Sequence, residues 1–295
     1  MGKENLVIET KALTKYYGKS RGIIDSNLKV KEGDIFGFIG PNGAGKSTTI
    51  RLLLGMIHPT SGSAEILGMD CARQTTKIMK RVGYMPSEAQ FYGQLRVDQV
   101  IKLAADLHSM DCSENAKHLC ERFQIDTNKK IEDLSLGNRR KISMVCAMQH
   151  EPELLILDEP TSGLDPLMQK EFFGELKERN AKGTTIFLSS HVLPEIQNYC
   201  NQAAIIKEGK IITSGNVEEI AKANGKHSAK RVTLKGIEKL PDLKGVHKLE
   251  RTEEGITFLY RGDLQELLKT LSITPFTDIT MTDLSLEEIF MHFYE

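Results

Sequence analysis

Several short runs of the chain are apolar without alternation: Ile35-Phe36-Gly37-Phe38-Ile39, Leu154-Leu155-Ile156-Leu157 and Thr184-Thr185-Ile186-Phe187-Leu188-Ser189-Ser190, with a further strand pattern at Val82-Gly83-Tyr84-Met85-Pro86. A strand with one wet face alternates apolar and polar residues, so unalternating runs belong to strands covered on both faces, as in a parallel sheet flanked by helices. Helical stretches separate the runs. One covers Thr48 to Met56. Another covers Val97 to Phe123, where Val100, Ile101, Leu103, Ala104 and Leu107 supply the apolar positions. The pattern predicts an α/β fold. After Ser214-Gly215 the character changes. Val217 to Ala223 reads as a helix and Asn224 to Lys230 as a polar linker. Then come strands at Arg231 to Lys235 and Gly255 to Tyr260, a helix from Asp263 to Leu271, a strand near Asp278 to Met281 and a helix from Ser285 to Phe293. That order predicts a small α+β domain, and none of its residues forms a recognisable catalytic group.

Candidate chemistry lies where the buried strands end. The first run leads into Gly40-Pro41-Asn42-Gly43-Ala44-Gly45-Lys46-Ser47, a G-x-x-x-x-G-K-S pattern between strand and helix. Glycines at 40, 43 and 45 are expected to adopt conformations closed to other residues, turning consecutive N–H groups around an anion. The following helix adds the positive end of its dipole. Lys46 reaches toward the β- and γ-phosphates, and the Ser47 hydroxyl takes a place on Mg²⁺. The Leu154 run ends in Asp158 and Glu159, a costly pair to bury without a cation. Asp158 is expected to hold the metal, directly or through water, and Glu159 to polarise the attacking water as general base. His191 follows the last run. Neighbouring parallel strands present their C-terminal ends to one crevice, so His191 is placed to contact the γ-phosphate and the attacking water.

With these motifs in this order, and with Leu134-Ser135-Leu136-Gly137-Asn138 between them, the chain resembles the nucleotide-binding subunits of ABC transporters. The resemblance runs over roughly residues 5 to 225 and implies a P-loop NTPase of the ABC ATPase type with a helical subdomain. The family's usual form is L-S-G-G-Q; here Leu136 and Asn138 occupy the variable places. Ser135 also suits the N-cap of the helix that follows, and both roles can hold together. By resemblance, Ser135 and Gly137 touch the γ-phosphate of ATP bound by the other subunit of a head-to-tail dimer. Tyr17, in Lys15-Tyr16-Tyr17-Gly18, matches the aromatic that stacks on adenine, with Tyr16 a nearby competitor. The implied nucleotide-binding set is therefore Tyr17, Gly40, Pro41, Asn42, Gly43, Ala44, Gly45, Lys46, Ser47, Thr48, Ser135, Gly137 and Asp165, with ATP and Mg²⁺ as cofactors. Where the family usually carries a glutamine after the Val82 strand, this chain has Ser87 and Glu88. Either a water bridges the gap, or Glu88 substitutes, or the metal is held by Ser47, phosphates and water alone. The loop itself is expected to couple the ATPase to a membrane partner.

The resemblance also implies the organisation and the partners. An ATPase domain is expected over residues 1–225, with the helical subdomain at about 88–150, and an accessory domain over 231–295. Phe91 and Tyr92 either meet a coupling helix of the membrane protein or pack onto the subdomain. The ending Ser285-Leu286-Glu287-Glu288-Ile289-Phe290 resembles ATPase subunits of ABC-2 type exporters. Partners are then a second copy, or a paralogous ATPase subunit, and a separate multi-spanning permease.

Composition adds exclusions. The net charge of −1 over 295 residues leaves no electrostatic footprint of a nucleic-acid binder. No apolar stretch reaches about 18 residues and no signal peptide is evident, so the expected location is the cytoplasmic face of the membrane, peripherally bound. Five cysteines, odd in number and scattered, read as reduced thiols. A soluble ABC ATPase acting on ribosomes or DNA is the alternative, although the chain holds one cassette and no long coiled-coil insertion between Lys46 and Ser135.

Overall fold

The structure is a computed structural model that describes residues 5–88, 90–223, 230–237, 239–252 and 255–283. Their contacts divide the chain into two compact units, at Val217 and Glu218.

The first unit opens with β1 (Leu6–Tyr17), β2 (Ser20–Ser26), β3 (Lys29–Lys31) and β4 (Ile35–Ile39), followed by α1 (Lys46–Leu53), β5 (Ser61–Ile66), β6 (Met69–Asp70), α2 (Thr75–Met79) and β7 (Val82–Met85). Next come α3 (Val97–His108), α4 (Ser113–Arg122), a 3₁₀ turn at Ile131–Asp133 and α5 (Leu136–Met148). The unit continues with β8 (Leu154–Asp158), α6 (Pro166–Ala181), β9 (Thr185–Ser190), α7 (Leu193–Tyr199), β10 (Gln202–Lys207) and β11 (Lys210–Asn216), and α8 (Val217–Ala223) begins at the division, its residues from Glu218 counted with the second unit.

Its main sheet has six strands in the order β11-β10-β4-β9-β8-β7. β10, β4, β9, β8 and β7 run parallel, and β11 caps one edge antiparallel to β10. Every residue of β8 and β9 is buried, which is why these strands show no alternation. Phe187 of β9 stacks on Phe36 of β4 with ring centroids 5.8 Å apart, and it packs against Phe38 at 5.5 Å. The α/β expectation therefore holds, and the helix after the glycine loop starts at Lys46, inside the loop motif itself.

A second sheet, β2-β1-β5-β6 with β3 also on β1, is antiparallel throughout. The sequence pattern did not announce it. Ala12 takes a left-handed φ of 47°, and the register of β1 shifts near Leu13 and Lys15, so the two-residue period is interrupted.

The helical stretch expected from Val97 to Phe123 is two helices. Ser109 closes α3 with a φ of 55°, and Asp111 accepts the Ser113 N–H at 3.0 Å, turning the chain into α4. Arg122 of α4 reaches Glu175 of α6 at 2.5 Å and Glu178 at 2.8 Å. Arg179 holds the other oxygen of Glu175 at 2.7 Å and donates to the Met148 carbonyl at 2.9 Å. This network fixes the helical region on α6.

The second unit holds β12 (Lys230–Lys235), β13 (Val246–Thr252), β14 (Gly255–Tyr260), α9 (Leu264–Ser272) and β15 (Asp278–Asp283). Its sheet order is β13-β14-β12-β15, all antiparallel. The described core is Val232, Leu234, Ile256, Phe258, Tyr260, Leu267 and Leu271, and Asp263 caps α9 by accepting the Gln265 N–H at 2.8 Å. β13 was not foreseen: His247 to Arg251 are exposed, so this edge strand lacks an apolar face. The helix expected at Ser285 to Phe293, and most of the linker, lie outside the described residues.

Candidate functional site

Backbone sterics shape the loop between β4 and α1. Gly43 and Gly45 have φ of 78° and 115°, conformations that side chains rarely tolerate. Gly40 is needed for a different reason from the one its motif suggests: a Cβ there would lie 2.6 Å from the Ile206 carbonyl oxygen. It is a point of close approach to β10. No acidic residue occupies the first turn of α1, so the positive end of the helix is uncompensated by its own side chains. Pro41, Asn42, Gly43, Gly45, Lys46, Ser47 and Thr48 line a cavity of about 310 Å³, together with Arg21, Gly22, Ser87 and Glu159. Anion recognition by backbone and lysine is the chemistry such a cavity offers.

Asp158 ends β8 and is 2% exposed. It pairs in register with Ser189 of β9. The Ser189 hydroxyl donates to Asp158 Oδ1 at 2.5 Å and accepts the Glu159 N–H at 3.0 Å. One buried serine thus orients both acids, a role that reading Ser189 as a strand residue did not reveal. Among the described residues, no basic side chain forms an ion pair with Asp158. A buried carboxylate left in that state fits a divalent cation, and Ser47 lines the adjoining cavity.

Glu159 takes a left-handed φ of 51°. Its Oε1 lies 3.0 Å from Lys46 Nζ and its Oε2 is 2.7 Å from His191 Nδ1. Lys46 is 5% exposed and also donates to the Gly40 carbonyl at 2.6 Å. His191, just past β9, is exposed. The fold brings together Lys46, Glu159 and His191, which stand at three separate strand ends. A carboxylate set between a buried ammonium and an imidazole can accept a proton from water once the cation is drawn elsewhere.

Tyr17 borders the same region. A Cβ at Gly22 would be 3.2 Å from the Tyr17 ring and 3.2 Å from the Thr48 methyl, so ring and loop helix flank Gly22. Lys15 Nζ lies 5.4 Å from the Tyr17 ring centre. Tyr16 instead uses its backbone N–H on Thr60 Oγ1, at 3.0 Å.

Ser135, Gly137 and Asp165 do not line the cavity of their own chain. Ser135 is the N-cap of α5, its hydroxyl accepting the Asn138 N–H at 3.3 Å. A Cβ on Gly137 would lie 3.1 Å from the Gly163 carbonyl, so the start of α5 packs on the loop before α6. Asp165 caps α6 by accepting the Met168 N–H at 3.0 Å. Of the residues after β7, Ser87 lines the cavity and Glu88 does not. Tyr92 is exposed and Phe91 half-buried.

Arg140 of α5 went unread in the sequence because Arg139-Arg140-Lys141 looks like a solvated basic run. It is 3% exposed. Its guanidinium donates to the carbonyls of Ser162 at 3.1 Å, Pro86 at 3.2 Å, Ser87 and Glu159. Burial pulls its pKa below the ordinary arginine value, against the fields of Asp158, Glu159 and Glu88.

Comparison with known proteins agrees with this geometry. The family model described as ABC transporter matches residues 23–162. The bacitracin transport ATP-binding protein BcrA of Bacillus licheniformis is 35% identical over 298 residues, covering 97% of this chain and 96% of the relative. The probable multidrug ABC transporter ATP-binding protein YbhF of Escherichia coli is 36% identical over 72% of this chain, which spans 38% of that relative's length. Among solved structures, an ATP-binding subunit of an ABC transporter is 30% identical, with a TM-score of 0.70 over 74% of this chain and 93% of that one. A dimeric bacterial ABC transporter cassette, 22% identical over 71% of this chain and 98% of its own, shares the fold with a TM-score of 0.66. From the glycine loop, the paired acids and an end-to-end relative, the chain belongs to the ABC transporter family, as one of its ATP-binding, ATP-hydrolysing subunits.

Proposed function

We propose that two copies of this chain, or one copy and a paralogous subunit, close head to tail around ATP and so drive a separate multi-spanning permease. The observation that carries the reading is the Glu159 carboxylate bridging Lys46 and His191 beside the phosphate cavity. The triphosphate lies along Gly40 to Thr48 and draws Lys46 from Glu159, leaving Oε1 to take a proton from water. His191 steadies Glu159 and the γ-phosphate, and Tyr17 stacks on the base. Ser135 and Gly137 of the second copy close over the γ-phosphate, with Asp165 at the same interface. Magnesium, when bound, supplies charge neutralisation on the phosphates; Ser47 and, through water, Asp158 would hold it. Ser87 faces this cavity and is the residue to watch for a water-mediated contact.

The ATPase domain is taken over about residues 1–225, a few residues past the division of contacts after Val217, with the helical subdomain at about 88–150 and the accessory domain over 231–295. No helix among the described residues is long and apolar enough to cross a membrane. We infer that the chain docks peripherally on its permease, at the cytoplasmic face. The end-to-end relative is named for bacitracin transport; we infer that this chain likewise powers transport, in the export direction, of a compound selected by the permease. Binding in one state and release in another converts nucleotide energy into motion of that partner. An affinity pull-down of tagged Glu159→Gln protein with Mg-ATP from detergent-solubilised cells tests this. A co-purifying multi-spanning protein supports the reading; ribosomes or DNA without one overturn it.

A further inference from the structure

A buried guanidinium usually has a carboxylate partner. Arg140 has none at ion-pair distance among the described residues, and all three of its nitrogens are spent on backbone carbonyls instead. Those carbonyls belong to separate loops. Pro86 and Ser87 follow β7, Glu159 follows β8, and Ser162 precedes α6. Arg140 itself stands on α5, five residues beyond Ser135 at its N-cap. Guanidinium donors are planar and fixed in a fork, so one such group holds several acceptors at set mutual positions.

Glu159 is the residue among these that most needs holding. A left-handed conformation at a non-glycine residue persists only where the surroundings impose it. Here its N–H is pinned by Ser189, through the hydroxyl at 3.0 Å and the carbonyl at 3.2 Å, and its carbonyl is taken by Arg140. The peptide units on both sides of the residue are therefore anchored, and the anchor on the C-terminal side also carries the loop at Pro86 and Ser87.

We propose that Arg140 is a positioning residue for ATP hydrolysis: it fixes the backbone of Glu159 and makes the aim of that carboxylate depend on where the Pro86-Ser87 loop and the start of α5 lie. A shift of the loop or of α5 then reaches the base through one rigid side chain. This rests on the assignment of Glu159 as general base.

The test uses purified full-length chain with Arg140→Lys, which keeps the charge but not the fork, and Arg140→Met, which keeps the bulk and removes charge and donors. Turnover, KM for ATP, affinity for a fluorescent ATP analogue and Tm are measured for each. Both variants should lose about 10- to 100-fold in kcat, with KM and analogue affinity within about 2-fold of wild type. Arg140→Met should stay folded but with a lowered Tm, because the carbonyls of Ser162, Pro86, Ser87 and Glu159 lose their donor. In a Glu159→Gln background, followed with radiolabelled ATP, neither change should slow the residual reaction further. Several outcomes overturn the proposal: wild-type kcat in either variant, a rise in KM without a fall in kcat, the same fold-loss in the Glu159→Gln background, or unfolding of both variants. A wild-type chain that binds ATP but does not hydrolyse it would instead remove the reading beneath the proposal.

Discussion

At the C-terminal ends of the parallel sheet, Asp158, Ser189 and Ser190 are buried, and Lys46 is buried close by. The interior of the four-stranded sheet of the second unit contains Val232, Leu234, Ile256 and Phe258, and the hydroxyl of its buried Tyr260 is satisfied by the Asp263 carbonyl at 3.0 Å. Both sheets close an apolar core, yet among the described residues the first buries a carboxylate and an ammonium at its edge, whereas the second buries one phenol and no charged group. Burying such groups is costly unless partners or a ligand meet them. The first sheet carries that cost where a phosphate chain and a cation fit, and no charged side chain is buried among the described residues of the second unit. Buried charges at strand ends single out the first unit as the place for chemistry; the second buries one satisfied hydroxyl in an apolar interior, as a part that packs does.

The sharpest way to break this contrast is Glu159→Gln. Phosphate release should slow by roughly 10²–10⁴-fold while ATP is still bound, and ordinary turnover would take Glu159 out of the mechanism. In the second unit the corresponding lesion is Phe258→Ala. Its ring is fully buried, so its loss should cost about 3–5 kcal/mol in denaturant unfolding of that unit. ATP turnover at low temperature should change little; a drop comparable to that of Glu159→Gln would show that the second unit works as well as packs.

A third test concerns a buried ionisable group of the first unit that lies away from the nucleotide. His150 is 4% exposed, its ring stacks on His108 at 3.6 Å, and its Nε2 lies 3.3 Å from the Val82 carbonyl. Burial, with the His108 charge second, pushes its pKa down from 6.5 to about 4. The unfolded chain therefore takes up the proton first as pH falls. Stability is intact above about pH 6.5 and is lost between there and about 4, by up to about 3 kcal/mol. Thermal melts from pH 7 to 4.5 should show the decline, and His150→Phe should flatten it; equal slopes would assign the acid sensitivity elsewhere. The smallest effect is expected for Ser135→Ala, which removes the α5 cap and about 1 kcal/mol of stability without weakening ATP binding to single chains. Ser135→Arg adds bulk at the same point and should prevent ATP-dependent dimerisation, read by size-exclusion light scattering. Normal dimers would separate Ser135 from the interface.

Legibility in the sequence followed burial. β8 and β9 are covered on both faces, so their composition alone marks them. β1 bends through Ala12 and shifts register, and β13 is an exposed edge, so neither shows a period. Lys46, Asp158, Glu159 and His191 were legible because their motifs stand at ends of recognisable strands. Ser189 and Arg140 were not, since each acts on residues far away in sequence. Gly40 does not take the left-handed backbone its motif suggests; the atom that excludes a side chain there belongs to Ile206, more than a hundred residues further on, which the motif alone does not show.

The ion pair between Lys46 and Glu159 has a consequence for nucleotide affinity. An anion arriving at Lys46 does not find a bare cation; it displaces a tethered carboxylate 3.0 Å away. A tethered competitor acts at an effective concentration in the millimolar range or above, so the measured affinity for ATP is that of an exchange. Neutralising the tether should therefore tighten nucleotide binding in single chains, before any dimer forms and with no hydrolysis to slow. The carboxylate proposed to activate water would then also set how much ATP is needed to begin.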